Sequence, residues 1–234
     1  MVWKLRKPSD LHIISGTVVN TNPFVQAPAA WPDANAASIL IQKSKMIYPR
    51  ARILHNFGCN LDDLPSDLIS VGGPIHNEAT RELLLRTGKF VSFEKAGDVE
   101  SGPYYSLVVQ GDCYTPIYED GKLSCDFGAI VRMRNPLNSH TNDAILVVGC
   151  ETVGVLAGAL ILAGDEIARN AQKELQGQVW PLIGVRDYVA VFSCQPLKGW
   201  ASGWASDFIL LILLYSGSCR DILPYRCQTK IVKP

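Results

Sequence analysis

Residues 67–85, DLISVGGPIHNEATRELLL, constrain the fold more than any other stretch of the chain. Leu68–Val71 reads as a short apolar strand, and two glycines follow it. Ile75, Ala79 and Leu83 then recur every four residues with Leu84 beside them, the stripe of an amphipathic helix that faces a core. Pro74 suits the first turn of such a helix, where an N–H has no intrahelical acceptor. Asn77, with Thr80 three residues on, is the alternative start, as a side-chain cap. Gly72 and Gly73 permit the positive φ or close approach that a tight corner needs. In an open α/β sheet, ligands bind beyond the carboxyl ends of the strands, and the free N–H groups of a helix start favour anions. The corner is neither G-x-G-x-x-G nor a P-loop, since no Gly-Lys-Ser/Thr follows. It is therefore either a phosphate- or carboxylate-facing site or a close-packed turn.

The rest of the chain supplies more α/β alternation. Residues 1–10 read as a loose arm and 12–19 as a first strand. Residues 20–32 hold three prolines in a loop. A helix from Asp33, capped by Asp33 or Asn35, carries Ala36, Ala37, Leu40, Ile41 and Ile47 on one face and ends at Pro49. Residues 52–56 and 89–93 suit strands, and 95–103 a glycine-rich loop. Runs at 104–109, 113–118 and 127–133, with Asp120-Gly121 between the last two, predict an antiparallel extension packed on the domain. Residues 144–149, AILVVG, suit a central strand buried on both faces. A deeply packed helix follows it from Thr152, and a second spans 165–176 with Ile167, Ala171 and Leu175 at spacing four. A last strand covers 187–194. The expected fold is a mainly parallel, Rossmann- or flavodoxin-like three-layer α/β sheet with an antiparallel extension. It forms a single domain over 1–234, with its core at about 12–196 and an atypical apolar tail at 197–234. In that tail FILLILLY, residues 208–215, is long enough for a buried strand and too short to span a bilayer.

Charge and cysteine usage narrow the function. Lys+Arg and Asp+Glu both number 22. That balance argues against a dedicated nucleic-acid binder. Seven scattered cysteines with no C-x-x-C pair fit neither a disulfide scaffold nor a structural zinc site. With no apolar segment after the basic N-terminus, a cytoplasmic, reduced protein without metal or cofactor is expected.

The second strand–glycine–helix corner, G-C-E-T-V-G at 149–154, resembles the first, and the two would flank one crevice if their strands are neighbours. Gly72, Gly73, Gly149, Gly154, Asn77, Thr80 and Thr152 are the candidate ligand contacts. Arg132 and Arg134, two apart on a strand, face one side and suit either a phosphate between them or open solvent; with a phosphate there, Asn135 and Asp126 frame the same pocket. His76, Glu151 and Asp126 are the candidate acid–base groups, and Cys150 is either a nucleophile or an inert buried thiol. The leading expectation is binding of a small anionic, nucleotide-like molecule. The alternatives are a hydrolase acting on a nucleoside or sugar bond, and an interaction module that oligomerises or docks a partner through 208–215.

Three blocks together, VGGPIHNEAT, CDFGAIVRMRNPLN and VVGCETVGVLAGA, resemble an uncharacterised, mainly prokaryotic family of α/β domains. The matching positions are Gly72, Gly73, Pro74, Asn77 and Thr80, then Asp126, Phe127, Gly128, Arg132, Asn135, Pro136 and Asn138, then Gly149, Gly154 and Ala157. The resemblance spans about 12–194, departs from the family pattern at Cys150-Glu151, and implies the fold and a pocket rather than an activity.

Overall fold

The computed structural model describes residues 11–16, 31–55, 67–86, 91–99, 102–136, 142–179, 187–196 and 205–215. In chain order the elements are β1 (His12–Ser15), α1 (Trp31–Lys45), β2 (Arg52–His55), β3 (Leu68–Val71), α2 (Glu78–Arg86), β4 (Val91–Val99), β5 (Gly102–Val109) and β6 (Asp112–Tyr114). Then come β7 (Ile117–Glu119), β8 (Lys122–Arg134), β9 (Asp143–Gly149), α3 (Thr152–Ala163), α4 (Arg169–Val179), β10 (Asp187–Pro196) and β11 (Ala205–Tyr215).

The central sheet runs β11-β10-β8-β9-β3-β1-β2, with β7 paired on β8. The half made of β2, β1, β3 and β9 is parallel. The half made of β8, β10 and β11 is antiparallel. The sheet is thus mixed α/β rather than mainly parallel. The cause is local: β8 returns to β9 through the few residues between Arg134 and Asp143, too short a connection for a parallel crossover. The segment 205–215 continues this half as a strand beside β10.

Both faces of the sheet are covered. Ile13, Ile69, Val71, Ile145 and Val147 pack with Leu40 of α1 and Leu156 and Leu160 of α3. Their neighbours Ile14, Leu68, Leu146 and Val148 pack on the other face with Leu83 of α2 and Leu107 of β5. This strict alternation along β9, apolar on both faces, is why residues 144–149 show no polar period. Helix α3 lacks a polar face for the same reason, since Val153 to Ala163 are all buried. Gly158 lets it approach the sheet, where a Cβ would lie 2.8 Å from Val147 Cγ1.

Several expectations change. Helix α2 begins at Glu78, after a turn over Pro74–His76, so Ile75 leaves the buried stripe and is exposed. Residues 95–103 are not a loop: β4 and β5 form most of a hairpin there, in a separate three-stranded sheet with β6. Helix α4 starts at Arg169, which leaves Ile167 exposed while Ala171 and Leu175 stay buried. Asp120-Gly121 does form the expected turn, with φ of 51° and 73°. The arm 1–10, most of the proline loop, Asn138 and the segment after 215 lie outside the described residues. Among the described residues no helix is long and apolar enough to cross a membrane.

Candidate functional site

Strands β3 and β9 are direct parallel neighbours, so their two glycine corners meet. A Cβ on Gly73 would lie 3.7 Å from the Gly149 carbonyl oxygen. Asn77 builds the first corner. Its Oδ1 accepts the Thr80 N–H at 3.1 Å, which makes it the cap of α2. Its amide donates to the Val71 carbonyl at 2.8 Å and the Ile14 carbonyl at 3.3 Å, tying β3 to β1. Thr80 donates its hydroxyl to the Gly72 carbonyl at 2.9 Å and lies 2.8 Å from Ser70 Oγ. Both side chains are buried, so they hold the corner rather than face a crevice. His76 is exposed at its rim.

The second corner is built from across the sheet. Gly128 of β8 pairs with Gly149, so residues 122–127 run past the carboxyl end of β9. There the Asp126 carboxylate accepts N–H bonds from Phe127 at 2.8 Å, Glu151 at 3.1 Å and Gly154. It fills the amino end of α3, the place reserved at the sequence level for a ligand anion. Gly154 makes this possible, because a Cβ there would sit 2.9 Å from Asp126 Oδ2 and 2.7 Å from the Phe127 carbonyl oxygen. At Gly149 a Cβ would meet backbone atoms at 2.5 Å. Asp126 is fully buried, and desolvation pushes its pKa up to about 7 against the three N–H groups that favour the anion. It is a helix-holding group, out of reach of a substrate.

Glu151 is different. It occupies the cap position of α3 without capping it, and it is half-buried beyond the carboxyl end of β9. Tyr118, carried over the strand ends by the β7–β8 hairpin, donates its hydroxyl to Glu151 Oε1 at 2.8 Å. Burial raises the Glu151 pKa, and the Tyr118 bond partly offsets that. The Tyr104 ring lies 5.3 Å from that of Tyr118, and the Tyr114 ring 5.9 Å from that of Phe127. The hairpin, with β5 and β6, thereby adds half-buried aromatic surface beside the carboxylate. Tyr118 went unnoticed in the sequence because no local spacing links it to Glu151. The Cys150 thiol donates to the Tyr114 carbonyl at 3.4 Å, and burial holds it far above the ordinary thiol range, which suits an inert thiol. Thr152 opens α3, half-buried.

The arginines lie elsewhere. Arg132 pairs in register with Ile145, four residues or about 13 Å from Gly149. Its guanidinium bonds Asp143 Oδ2 at 2.8 Å, at the amino end of β9. Arg134 and the buried Asn135 lie further still from the glycine corners, and Asn135 donates its N–H to the Asn142 carbonyl. None of the three frames the crevice, because the antiparallel course of β8 carries them to the other end of the sheet.

Against Gly72 stands Asp33, in the first turn of α1. It is buried, its Oδ1 has no hydrogen-bond partner among the described residues, and desolvation raises its pKa to about 7. Asp33 thus lies on Gly72 at the end of β3, and Glu151 follows Gly149 at the end of the adjacent β9. Among the described residues no cluster of three His, Cys, Asp or Glu is placed to hold a metal ion. Compared with protein-family models and with curated proteins, the chain has no significant match.

Proposed function

We propose that the crevice beyond β3 and β9 takes a nucleoside- or sugar-like molecule and hydrolyses the bond at its anomeric carbon, with Glu151 as the acid–base group. The observation that carries this reading is the half-buried Glu151 carboxylate, held by the Tyr118 hydroxyl at the mouth of a glycine-walled crevice. In the reaction a water oxygen bonds to the anomeric carbon as the glycosidic bond breaks. Glu151 takes a proton from that water, and the departing group leaves with the bonding pair and is protonated from solvent. Tyr104 and Tyr118 offer ring faces and edges against which a base or sugar packs.

A dianionic phosphate is the poorer ligand for this end of the sheet. Asp126 already occupies the amino end of α3, and Arg132 and Arg134 sit beyond reach. The nucleotide-like expectation therefore narrows to its neutral nucleoside or sugar part. The strand order β2-β1-β3-β9 supports a flavodoxin-like reading of the parallel half, in which ligands sit at the carboxyl ends where the connections diverge.

Thermal-shift screening of nucleosides, free pentoses and phosphosugars, followed by an assay of base or reducing-sugar release, tests it. A stabilising nucleoside that is cleaved by the wild type and left intact by Glu151→Gln is the expected result. Turnover that survives Glu151→Gln, or stabilisation by inorganic phosphate alone, would remove Glu151 from the chemistry.

A further inference from the structure

The Asp33 carboxylate is an incomplete site. It lies within the first turn of α1, where it is only 4% exposed. Its Oδ1 is buried with no hydrogen-bond partner among the described residues. Leaving such a group unsatisfied is costly, and folds tolerate it mainly where a ligand or function completes it. The backbone beside it is shaped to keep it there. Gly72 holds φ at 107°, and a Cβ at that position would lie 2.6 Å from Asp33 Oδ2. Any other residue would displace the carboxylate from the strand end.

Its place in the sheet gives the second argument. Helix α1 packs on one face and α2 on the other, although β1 and β3 are neighbours. The chain therefore diverges between these strands, which is where an open α/β sheet leaves a crevice. Asp33 lies on Gly72 at the end of β3, and Glu151 follows Gly149 at the end of the neighbouring β9, with Gly73 beside the Gly149 carbonyl between them.

We propose that Asp33 is the sugar-hydroxyl acceptor of this crevice, so that the ligand is a polyhydroxylated ring gripped by Asp33 at its hydroxyl edge and presented to Glu151 at its anomeric carbon. This rests on the sugar or nucleoside reading above. A hydroxyl suits the free oxygen better than an ammonium group does, because a hydroxyl can bond the carboxyl in either protonation state. Burial that raises the Asp33 pKa to about 7 means that both states are populated near neutrality.

The test is a cycle between ligand and side chain. In the Glu151→Gln background, which prevents turnover, calorimetry measures binding of a ribonucleoside and its 2′-, 3′- and 5′-deoxy forms, with Asp33 intact and with Asp33→Asn. One deoxy form should bind at least tenfold more weakly when Asp33 is present, and the difference should shrink to within twofold after Asp33→Asn. Where Asp33→Asn fails to fold, the assigned carboxyl-carbon resonance of Asp33 in the Glu151→Gln protein gives the answer. It should move saturably with the ribonucleoside and less with the affected deoxy form. If nucleosides bind but Asp33→Asn leaves every deoxy ratio unchanged, or the Asp33 resonance stays still, this inference falls while the crevice reading survives. If no nucleoside or sugar binds, both fall together.

Discussion

The carboxylate of Asp126, on β8, receives the backbone N–H groups of Glu151 and Gly154, at the start of α3, although 28 residues separate Asp126 from Gly154. A long antiparallel strand thereby caps the most apolar of the described helices, whose own cap residue makes no side-chain cap bond. The same contact aims Glu151 outward, since its backbone is pinned and its side chain is left to meet Tyr118.

Asp126→Ala strips acceptors from two N–H groups of α3 and should cost about 3 kcal/mol, a lost cap plus buried donors left unpaired. Gly154→Ala should cost a similar amount through collision with the Phe127 carbonyl and Asp126. The double variant should cost less than the sum, because both break one contact. Urea unfolding of the four proteins measures this, and strict additivity would contradict a shared contact.

Asn77 offers a sharper separation of roles. Asn77→Asp keeps the cap acceptor for the Thr80 N–H but loses both donors to Ile14 and Val71, and it sets a carboxylate against two carbonyls. Asn77→Ala loses the cap as well but adds no repulsion. Both should destabilise by about 2 kcal/mol or more, with aspartate the worse at pH 7 and the gap closing as the pH falls. Wild-type melting temperatures for both variants across that range would show that the bridge between β1 and β3 contributes little.

The two glycine corners were legible because each is local: a strand, a glycine and a helix start lie within a dozen residues. Their adjacency was only a condition at that level, and the direct pairing of β3 and β9 meets it. What escaped were the partners set by topology. Alternation alone put Arg132 and Arg134 on one side of a strand, but only the direction of β8 decides which end of the sheet they reach. The hairpin at 91–109 was hidden by its glycines. Gly97 makes room for the Tyr104 ring, where a Cβ would meet its hydroxyl at 2.7 Å, and Gly102 holds φ at 128°. Asp33 looked like a helix cap by position. Its burial against Gly72 depends on a strand more than thirty residues away in sequence.

Arg132 shows the consequence. Arg132→Ala leaves the buried Asp143 without its guanidinium and should cost about 3 kcal/mol, while Arg132→Lys should recover part of that loss. Affinity for any ligand of the crevice should remain within twofold of wild type in both, because the side chain lies at the other end of β9. Calorimetric titration beside thermal unfolding separates the two effects. A large loss of affinity with unchanged stability would restore Arg132 to the binding site.

Stability should fall as the pH rises from about 4 to 8. Asp33 and Asp126 are both raised from the ordinary 3.8 to about 7 by desolvation. A carboxyl with a raised folded pKa binds its proton more tightly in the native state, so its contribution is complete below the unfolded value and is lost as the pH passes the folded one. Glu151 and Asp187 are shifted in the same direction. Urea midpoints at pH 5 should therefore exceed those at pH 8, and Asp33→Asn should flatten the slope by removing one titrating group. A midpoint that climbs over this interval would mean that these carboxyls are ionised and satisfied in the native state.

The Tyr118–Glu151 bond gives the most direct reading of the proposed chemistry. The Tyr118 hydroxyl stabilises the ionised form of Glu151 and holds its pKa below the value that burial alone would set. Tyr118→Phe keeps the ring and its contact with Tyr104 but deletes the hydroxyl, so the Glu151 pKa should rise. With Glu151 acting as a base, activity requires its ionised form, and the acid limb of the kcat/KM profile should move to higher pH. Activity well above that limb should change little, and stability should drop by about 1 kcal/mol for one lost hydrogen bond. A purely structural tyrosine would lower activity by the same factor at every pH, and a limb that stays in place would sever Glu151 from the reaction.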